Sequence, residues 1–86
     1  MKLKKEFIAH DIGSESLLVP LRGSGWAGVV KGNKTLGIIL GLLKEETSEA
    51  RIIDTMKRRF DAPEEVIVRD VRKAITELRN IGALDE

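Results

Sequence analysis

The chain has 86 residues, 42% hydrophobic and 34% charged, which is enough apolar material for one compact core in a single domain over residues 1–86. With no cysteine and one histidine, it lacks disulfides, thiolate nucleophiles and the ligand clusters that hold a metal. A net charge of +1 excludes the strong basic excess of nonspecific nucleic-acid binders. We expect a protein of a reducing, cytoplasmic compartment, without metal or cofactor. No membrane anchor is expected either, since the apolar run 36–43 is too short to span a bilayer.

The first third of the chain has the pattern of β-strands. Residues 5–10 and 16–21 are separated by a polar segment that contains Gly13 and has the length of a hairpin turn. Pro20 has no amide donor, which indicates the end of a strand or an unpaired edge. After a glycine-rich connection, residues 26–31 predict a third short strand, and an antiparallel meander is the simplest arrangement of the three.

Helical periodicity begins directly after these strands. Asn33 stands at the N-cap position of a helix over residues 34–44, where its side chain can accept a hydrogen bond from a free amide of the first turn. Thr47 is the expected cap of a second helix, which Phe60 closes.

A third helix is predicted between a proline and a glycine. Pro63 suits the first turn, Gly82 offers the left-handed conformation that ends a helix, and Leu84 is expected to fold back onto the core. Strands and helices are thus segregated along the chain. The sequence predicts an α+β, winged-helix-like fold, in which a three-stranded antiparallel sheet is followed by a three-helix bundle.

Two glycine patterns resemble nucleotide-binding motifs but lack their context. The first is the spacing of Gly23, Gly25 and Gly28, which two valines follow instead of the start of a helix. The second is the segment 28–35, in which Asn33 replaces the glycine before the lysine of a phosphate loop. A parallel sheet cannot be built here, so a flexible connection and a helix cap explain both patterns.

The remaining candidates for chemistry are also weak. His10 has no accompanying nucleophile or second acid, and the glutamate pairs at 45–46 and 64–65 fall at helix ends, where solvation and the helix dipole account for them. Trp26 is explained by core packing, although tryptophan is also a favoured binding anchor. We therefore expect a binding protein and no enzyme.

The third helix carries basic residues opposite its apolar stripe. They are Arg69, Arg72, Lys73 and Arg79. Pairing across helix turns, such as Glu65 with Arg69, is one explanation, and a basic surface for an acidic partner is the other. The two explanations are compatible, and the sequence leaves both open.

Taken over nearly its whole length, the chain resembles the PqqD family, the small proteins of pyrroloquinoline quinone biosynthesis and their relatives. These proteins are grouped as recognition elements for ribosomally made, modified peptides. The residues that carry the resemblance are Asn33, Ile39, Leu42, Leu43, Thr47, Phe60, Val71, Leu78, Gly82 and Leu84. One departure is Gly32, which stands where the family usually has a leucine.

The resemblance implies a non-catalytic peptide chaperone. Such proteins hold the leader segment of a precursor peptide and present it to a modifying enzyme, a radical S-adenosylmethionine enzyme in the case of PqqD. The leader adds as a strand to the edge of the third strand and lies beside the third helix. Carried onto this chain, the site comprises Trp26, Ala27, Val29, Val30 and Lys31 of the strand and Val68, Arg69, Arg72, Lys73 and Thr76 of the helix.

Two further interpretations stay open. A winged-helix DNA-binding protein would also display a basic helix, but its recognition helix is usually followed by a wing hairpin, which this chain cannot supply after Gly82. An isolated edge strand could also pair two copies of the protein, which would give a homodimer.

Overall fold

The computed structural model describes residues 1–13, 15–25 and 28–86. The elements in chain order are β1 (Lys2–Leu3), β2 (Phe7–Ile12), β3 (Glu15–Pro20), β4 (Val30–Asn33), α1 (Lys34–Leu42), α2 (Glu49–Arg59), α3 (Glu64–Asn80) and β5 (Leu84–Asp85). Strands β2, β3 and β4 form an antiparallel sheet in that order, and three helices follow. This confirms the predicted α+β class.

The third strand is shorter than the sequence predicts and is displaced along the chain. It covers Val30–Asn33 instead of residues 26–31, of which 26 and 27 lie outside the described residues. Leu18 of β3 pairs with Val30, and two residues further along β3 stands Pro20, which has no amide to continue the ladder. Gly28 has a φ of +112°, which is not strand geometry, so the pairing with β3 begins at Val30.

The ends of α1 and α3 follow the predicted capping chemistry. The Asn33 side chain accepts a hydrogen bond from the Leu36 amide at 3.0 Å, as expected of an N-cap. At the end of α3, Gly82 has a φ of +75°. The amide of Ala83 donates to the Leu78 carbonyl at 2.9 Å, which completes a Schellman motif and turns the chain back toward the core.

The predicted cap of α2 is wrong by one residue. Ser48, not Thr47, accepts the hydrogen bond from the Arg51 amide, at 3.2 Å. Thr47 is held by its backbone instead, since its amide donates to the Met1 carbonyl at 2.9 Å and its carbonyl accepts from the Met1 amine at 2.7 Å. The N-terminal residue therefore fixes the entry to α2, a long-range contact that local sequence does not reveal.

A second, two-stranded sheet joins the two ends of the chain. Strand β1 pairs antiparallel with β5, and Leu3 lies opposite Leu84. The Lys4 amide also donates to the Ala83 carbonyl at 2.8 Å. Strands of two residues have no periodicity from which to predict them, whereas the burial of Leu84 agrees with the expectation that it folds onto the core.

Helix α1 lies between the sheet and α3, and α2 packs against α3. The core that these contacts enclose contains Phe7, Leu18, Ile39, Leu40, Leu43, Ile52, Met56, Ile67, Val71, Ala74, Ile75, Leu78, Ala83 and Leu84. Among the described residues, one polar side chain is buried with this core. It is Ser16, whose hydroxyl donates to the Asn33 carbonyl at 3.0 Å and so ties β3 to the junction of β4 and α1.

Candidate functional site

Strand β4 is an edge of the sheet, with β3 as its neighbour on one side. The direction of its backbone groups follows from a hydrogen bond at the far end of β3, where the Leu21 amide donates to the Glu6 carbonyl at 2.7 Å. In an antiparallel pair, residues that bond to one neighbour alternate with residues that turn away from it. Since Leu21 bonds toward β2, the even-numbered Ser16 and Leu18 turn their backbone groups toward β4.

The open edge of β4 is therefore centred on Lys31. The register places Ser16 opposite Gly32 and Leu18 opposite Val30, so Gly32 and Val30 bond to β3. Lys31, between them, turns its N–H and C=O to the unpaired side. An extended segment lying beside β4 would find a donor and an acceptor there.

A groove runs between this edge and α3. It consists of two adjoining cavities of about 280 and 290 Å³, which share Leu36, Ala74 and Glu77 and which we call together the β4–α3 groove. The first cavity is lined by Val30, Leu36, Ala74, Glu77, Leu78, Asn80 and Ile81. The second is lined by Lys31, Gly32, Asn33, Thr35, Leu36, Ile39, Asp70, Lys73, Ala74 and Glu77.

The groove contains charges of both signs. Within the described part of the chain, Lys31, Lys73 and Glu77 form no ion pair, whereas the Asp70 carboxylate lies 3.6 Å from Nε of Arg69. All of these side chains are exposed. Lys31 alternates with the inward-facing Val30 and Gly32, so its side chain points to the outer face of the sheet and only its backbone borders the groove. The unpaired charges of the groove are therefore Lys73 and Glu77, which are available to a ligand.

The binding residues predicted from the sequence fall on two surfaces. Val30, Lys31 and Lys73 line the β4–α3 groove. Val68, Arg69 and Arg72 line a shallow depression at the start of α3, together with Pro63, Glu64 and Glu65. These two groups of residues thus belong to different surfaces of α3.

The depression at the start of α3 faces α2, since Nε of Arg72 lies 3.5 Å from Oε2 of Glu49. Of the other predicted residues, Val29 is exposed just before β4, Thr76 is exposed on α3, and Trp26 and Ala27 lie outside the described residues. A binding role for these side chains stays a prediction.

Several groove residues were not anticipated as site residues. They are Gly32, Asn33, Thr35, Leu36, Ile39, Asp70, Ala74, Glu77, Leu78, Asn80 and Ile81. The sequence shows Ala74 and Leu78 as core residues of an apolar helix stripe, which they are, but it does not show that the stripe continues past the core to the edge of β4. In the sequence, the best signal for the groove side of α3 was its acidic residues. Asp70 lies three residues before Lys73 and Glu77 four residues after it, so the three share one face of the helix.

The departure at Gly32 has a structural counterpart in Leu36. A β-carbon built on Gly32 would lie 2.8 Å from the Leu36 Cβ, so the leucine side chain occupies the space over this glycine. Gly32 nevertheless pairs with Ser16 in the sheet. Leu36 thus lines both cavities of the groove at the place where a larger residue in β4 would otherwise project.

The sheet also has an exposed apolar surface. Ile8 is 41% exposed, and Ile12 and Val29 are each 53% exposed. In β2, Ile8 and Ile12 alternate with the buried Phe7 and half-buried Ala9, so they point away from the helices. A strand added to β4 would extend this outer face of the sheet.

The titratable groups with shifted pKa values are surface ion pairs outside the groove. A hydrogen bond from the N-terminal amine lowers the pKa of Glu46, and a hydrogen bond from Arg58 lowers that of Asp54. Arg79 lowers the pKa of Glu86 through two hydrogen bonds of 2.8 and 2.7 Å. These pairs affect stability at acid pH, not the chemistry of the groove.

The described residues lack the features of a metal site and of a membrane span. They contain no group of three or more His, Cys, Asp or Glu side chains that could hold a metal ion. None of the helices described combines the length and the apolar composition that crossing a bilayer requires.

Comparisons with known proteins agree with the fold. The family model of Coenzyme PQQ synthesis protein D (PqqD) matches residues 15–84. A solved structure described as TbiB1 in complex with the TbiA(beta) leader peptide is similar to this chain, with a TM-score of 0.81 and 21% sequence identity. The alignment covers 99% of this chain and 95% of TbiB1. No curated protein matches the sequence. Since the family model spans β3, β4, all three helices and the start of β5, which is most of the chain, the chain belongs to the PqqD family.

Proposed function

We propose that this protein is a non-catalytic peptide chaperone. It binds the leader segment of a ribosomally made precursor peptide by strand addition to β4 and presents the peptide to a modifying enzyme, of the radical S-adenosylmethionine class. Backbone hydrogen bonds along the edge supply affinity, and the side chains of the β4–α3 groove supply sequence choice.

The observation that carries the proposal is the open edge of β4 beside the groove. Lys31 turns its backbone donor and acceptor to the unpaired side, and α3 lies next to that edge with Ala74 and Leu78 as an apolar wall. TbiB1, which has the same fold, was solved with a leader peptide. Membership of the PqqD family supports the same kind of ligand for this chain.

The modifying enzyme requires a second surface, which the outer face of the sheet supplies. Ile8 and Ile12 expose apolar side chains there, and Val29 is exposed just before β4, whereas the groove opens between β4 and α3. A partner on this face would contact both the protein and the outward side chains of a leader strand. Leader and enzyme can then be bound together.

The test is an amide NMR titration of the labelled protein with the leader of a short precursor peptide encoded beside its gene. A parallel titration with duplex DNA tests the winged-helix alternative. That alternative requires a wing hairpin after the recognition helix, whereas the two-residue strand β5 follows α3 here. We expect leader-induced shifts concentrated on β4 and on the groove side of α3, with no shifts from DNA.

Shifts from DNA alone, confined to the basic residues of α3, would overturn the proposal. Sedimentation velocity on the same samples provides the control for self-association. Because β2 and β4 both have an open edge, a homodimer through β4 would compete with the leader, whereas one through β2 would not. Leader that dissociates a dimer would identify β4 as the shared edge.

A further inference from the structure

The two ends of the β4–α3 groove differ in chemistry. The end beside Val30 has an apolar floor made by Leu36, Ala74, Leu78 and Ile81. The end beside Gly32 is lined by polar groups of three elements, β4, α1 and α3. A bound peptide would therefore meet an apolar surface first and a charged one further along.

The distance between the two ends corresponds to two residues of an extended chain. Val30 lines the apolar end and Gly32 the polar end, and these residues are two apart in β4. In a strand paired with β4, every second side chain points to the same face, at about 3.3 Å per residue. Two side chains of the peptide at positions i and i+2 would thus lie one in each end of the groove.

The electrostatics of the polar end favour an acidic side chain. Lys73 lines it without an ion-pair partner within the described residues, and the Asp70 carboxylate lies beside Arg69. The remaining charge there, Glu77, is shared with the apolar end. The unpaired cation therefore lies at the polar end, whereas the unpaired anion lies between the two ends.

Helix α1 adds to this preference. Its N-terminus, with the cap Asn33 and the first-turn residue Thr35, lies at the polar end of the groove. The first turn contains no acidic residue, so the positive end of the helix dipole is not offset by its own side chains. The dipole and Lys73 act in the same direction.

We infer that the groove selects peptides in which a large apolar residue and an acidic residue are two positions apart, in either chain direction. This inference rests on the proposed leader-binding function and adds a recognition rule to it. The apolar side chain buries surface against α3, and the acidic side chain lies near Lys73. The intervening residue points to the outer face of the sheet and is not selected.

The experiment is an mRNA-display selection of a random 12-residue peptide library on the immobilised protein. Three proteins are compared: the parent, Lys73→Glu and Arg72→Glu. The last is a matched control, because Arg72 carries the same charge one position away but lies beside Glu49 on the α2 side of α3. Circular dichroism establishes that all three are folded.

We expect the parent to enrich a large apolar residue two positions from Asp or Glu. In binding assays on one selected peptide, changing the apolar residue to Ala should weaken affinity about tenfold. Changing the acid to Lys should weaken it up to about fivefold. Lys73→Glu should select basic residues at the second position, and Arg72→Glu should select as the parent does.

One contrary result is that selected peptides shift the NMR signals of groove residues and yet lack a large apolar residue two positions from an acidic one. That result would overturn the inference and leave leader binding intact. The same holds if Arg72→Glu changes the selected acid and Lys73→Glu does not. Selected peptides that shift residues away from β4 and α3, or a selection that yields no binder, would overturn the proposed function as well.

Discussion

Strand addition to β4 predicts a specific response to proline at residue 31. The Lys31 amide faces the open edge, so Lys31→Pro removes a donor that the sheet itself does not use. Proline is tolerated in edge strands at positions of this kind. We expect the free energy of unfolding in urea to change by about 1 kcal/mol or less.

Leader binding should respond much more strongly. A leader carbonyl that lies opposite residue 31 would lose its donor, and leaving a buried acceptor unsatisfied costs about 1–3 kcal/mol. This corresponds to binding that is about 5- to 150-fold weaker. Fluorescence anisotropy with a labelled leader peptide measures the change.

Lys31→Ala is the matched control, because it removes the side-chain charge and retains the amide. An exposed ion pair contributes about 1 kcal/mol at most, so this variant should bind no more than about fivefold more weakly than the parent. If folded Lys31→Pro binds the leader as tightly as Lys31→Ala does, the backbone of β4 does not pair with the leader, and the reasoning from register to open edge is refuted.

Three further predictions concern the surroundings of the groove and acid stability. Ser16→Ala should destabilise the fold by about 1 kcal/mol in urea unfolding, since the buried Ser16 hydroxyl donates to the Asn33 carbonyl; an unchanged midpoint would show that this bond contributes nothing. Gly32→Ala should displace Leu36 and cost about 1–3 kcal/mol of stability by overpacking, and an unperturbed Leu36 methyl spectrum would contradict the predicted clash. Folding lowers the pKa of Glu86 from 4.5, so the stability from its arginine pair is present above that pH and is lost as pH falls through the lower folded pKa. Urea unfolding at pH 7, 4.5 and 3 should therefore show a smaller loss of stability for Glu86→Gln than for the parent, and equal losses would mean that this pair does not contribute.

Much of the fold could be predicted because its signals are local. Asn33 caps α1 through a bond to the Leu36 amide, and Gly82 ends α3 with a positive φ, as their residue types indicate. The prediction of Thr47 as the cap of α2 was wrong for a non-local reason. Its backbone bonds to Met1, 46 residues away, and Ser48 takes its place.

The candidate site was less accessible to sequence reasoning. The basic residues of α3 all lie opposite its apolar stripe, and nothing local separates Lys73 from Arg72. The packing of α2 and α1 on two sides of α3 does so, because it leaves Arg72 beside Glu49 and places Lys73 in the groove next to β4. Likewise, β4 begins where it does because Pro20 of β3 has no amide to donate. The strand register, and no feature of the local sequence, places Pro20 opposite residue 28.

By itself, the sequence determined the class of fold, the order of the three main strands and three helices, and the family, since periodicity, caps and breakers act over a few residues. The tertiary structure decided which edge is open, where it begins and which face of α3 lies beside it. Those features depend on pairing register and helix packing between residues distant in the chain. A peptide-binding surface made of one strand edge and one helix face therefore takes shape only when the whole chain folds.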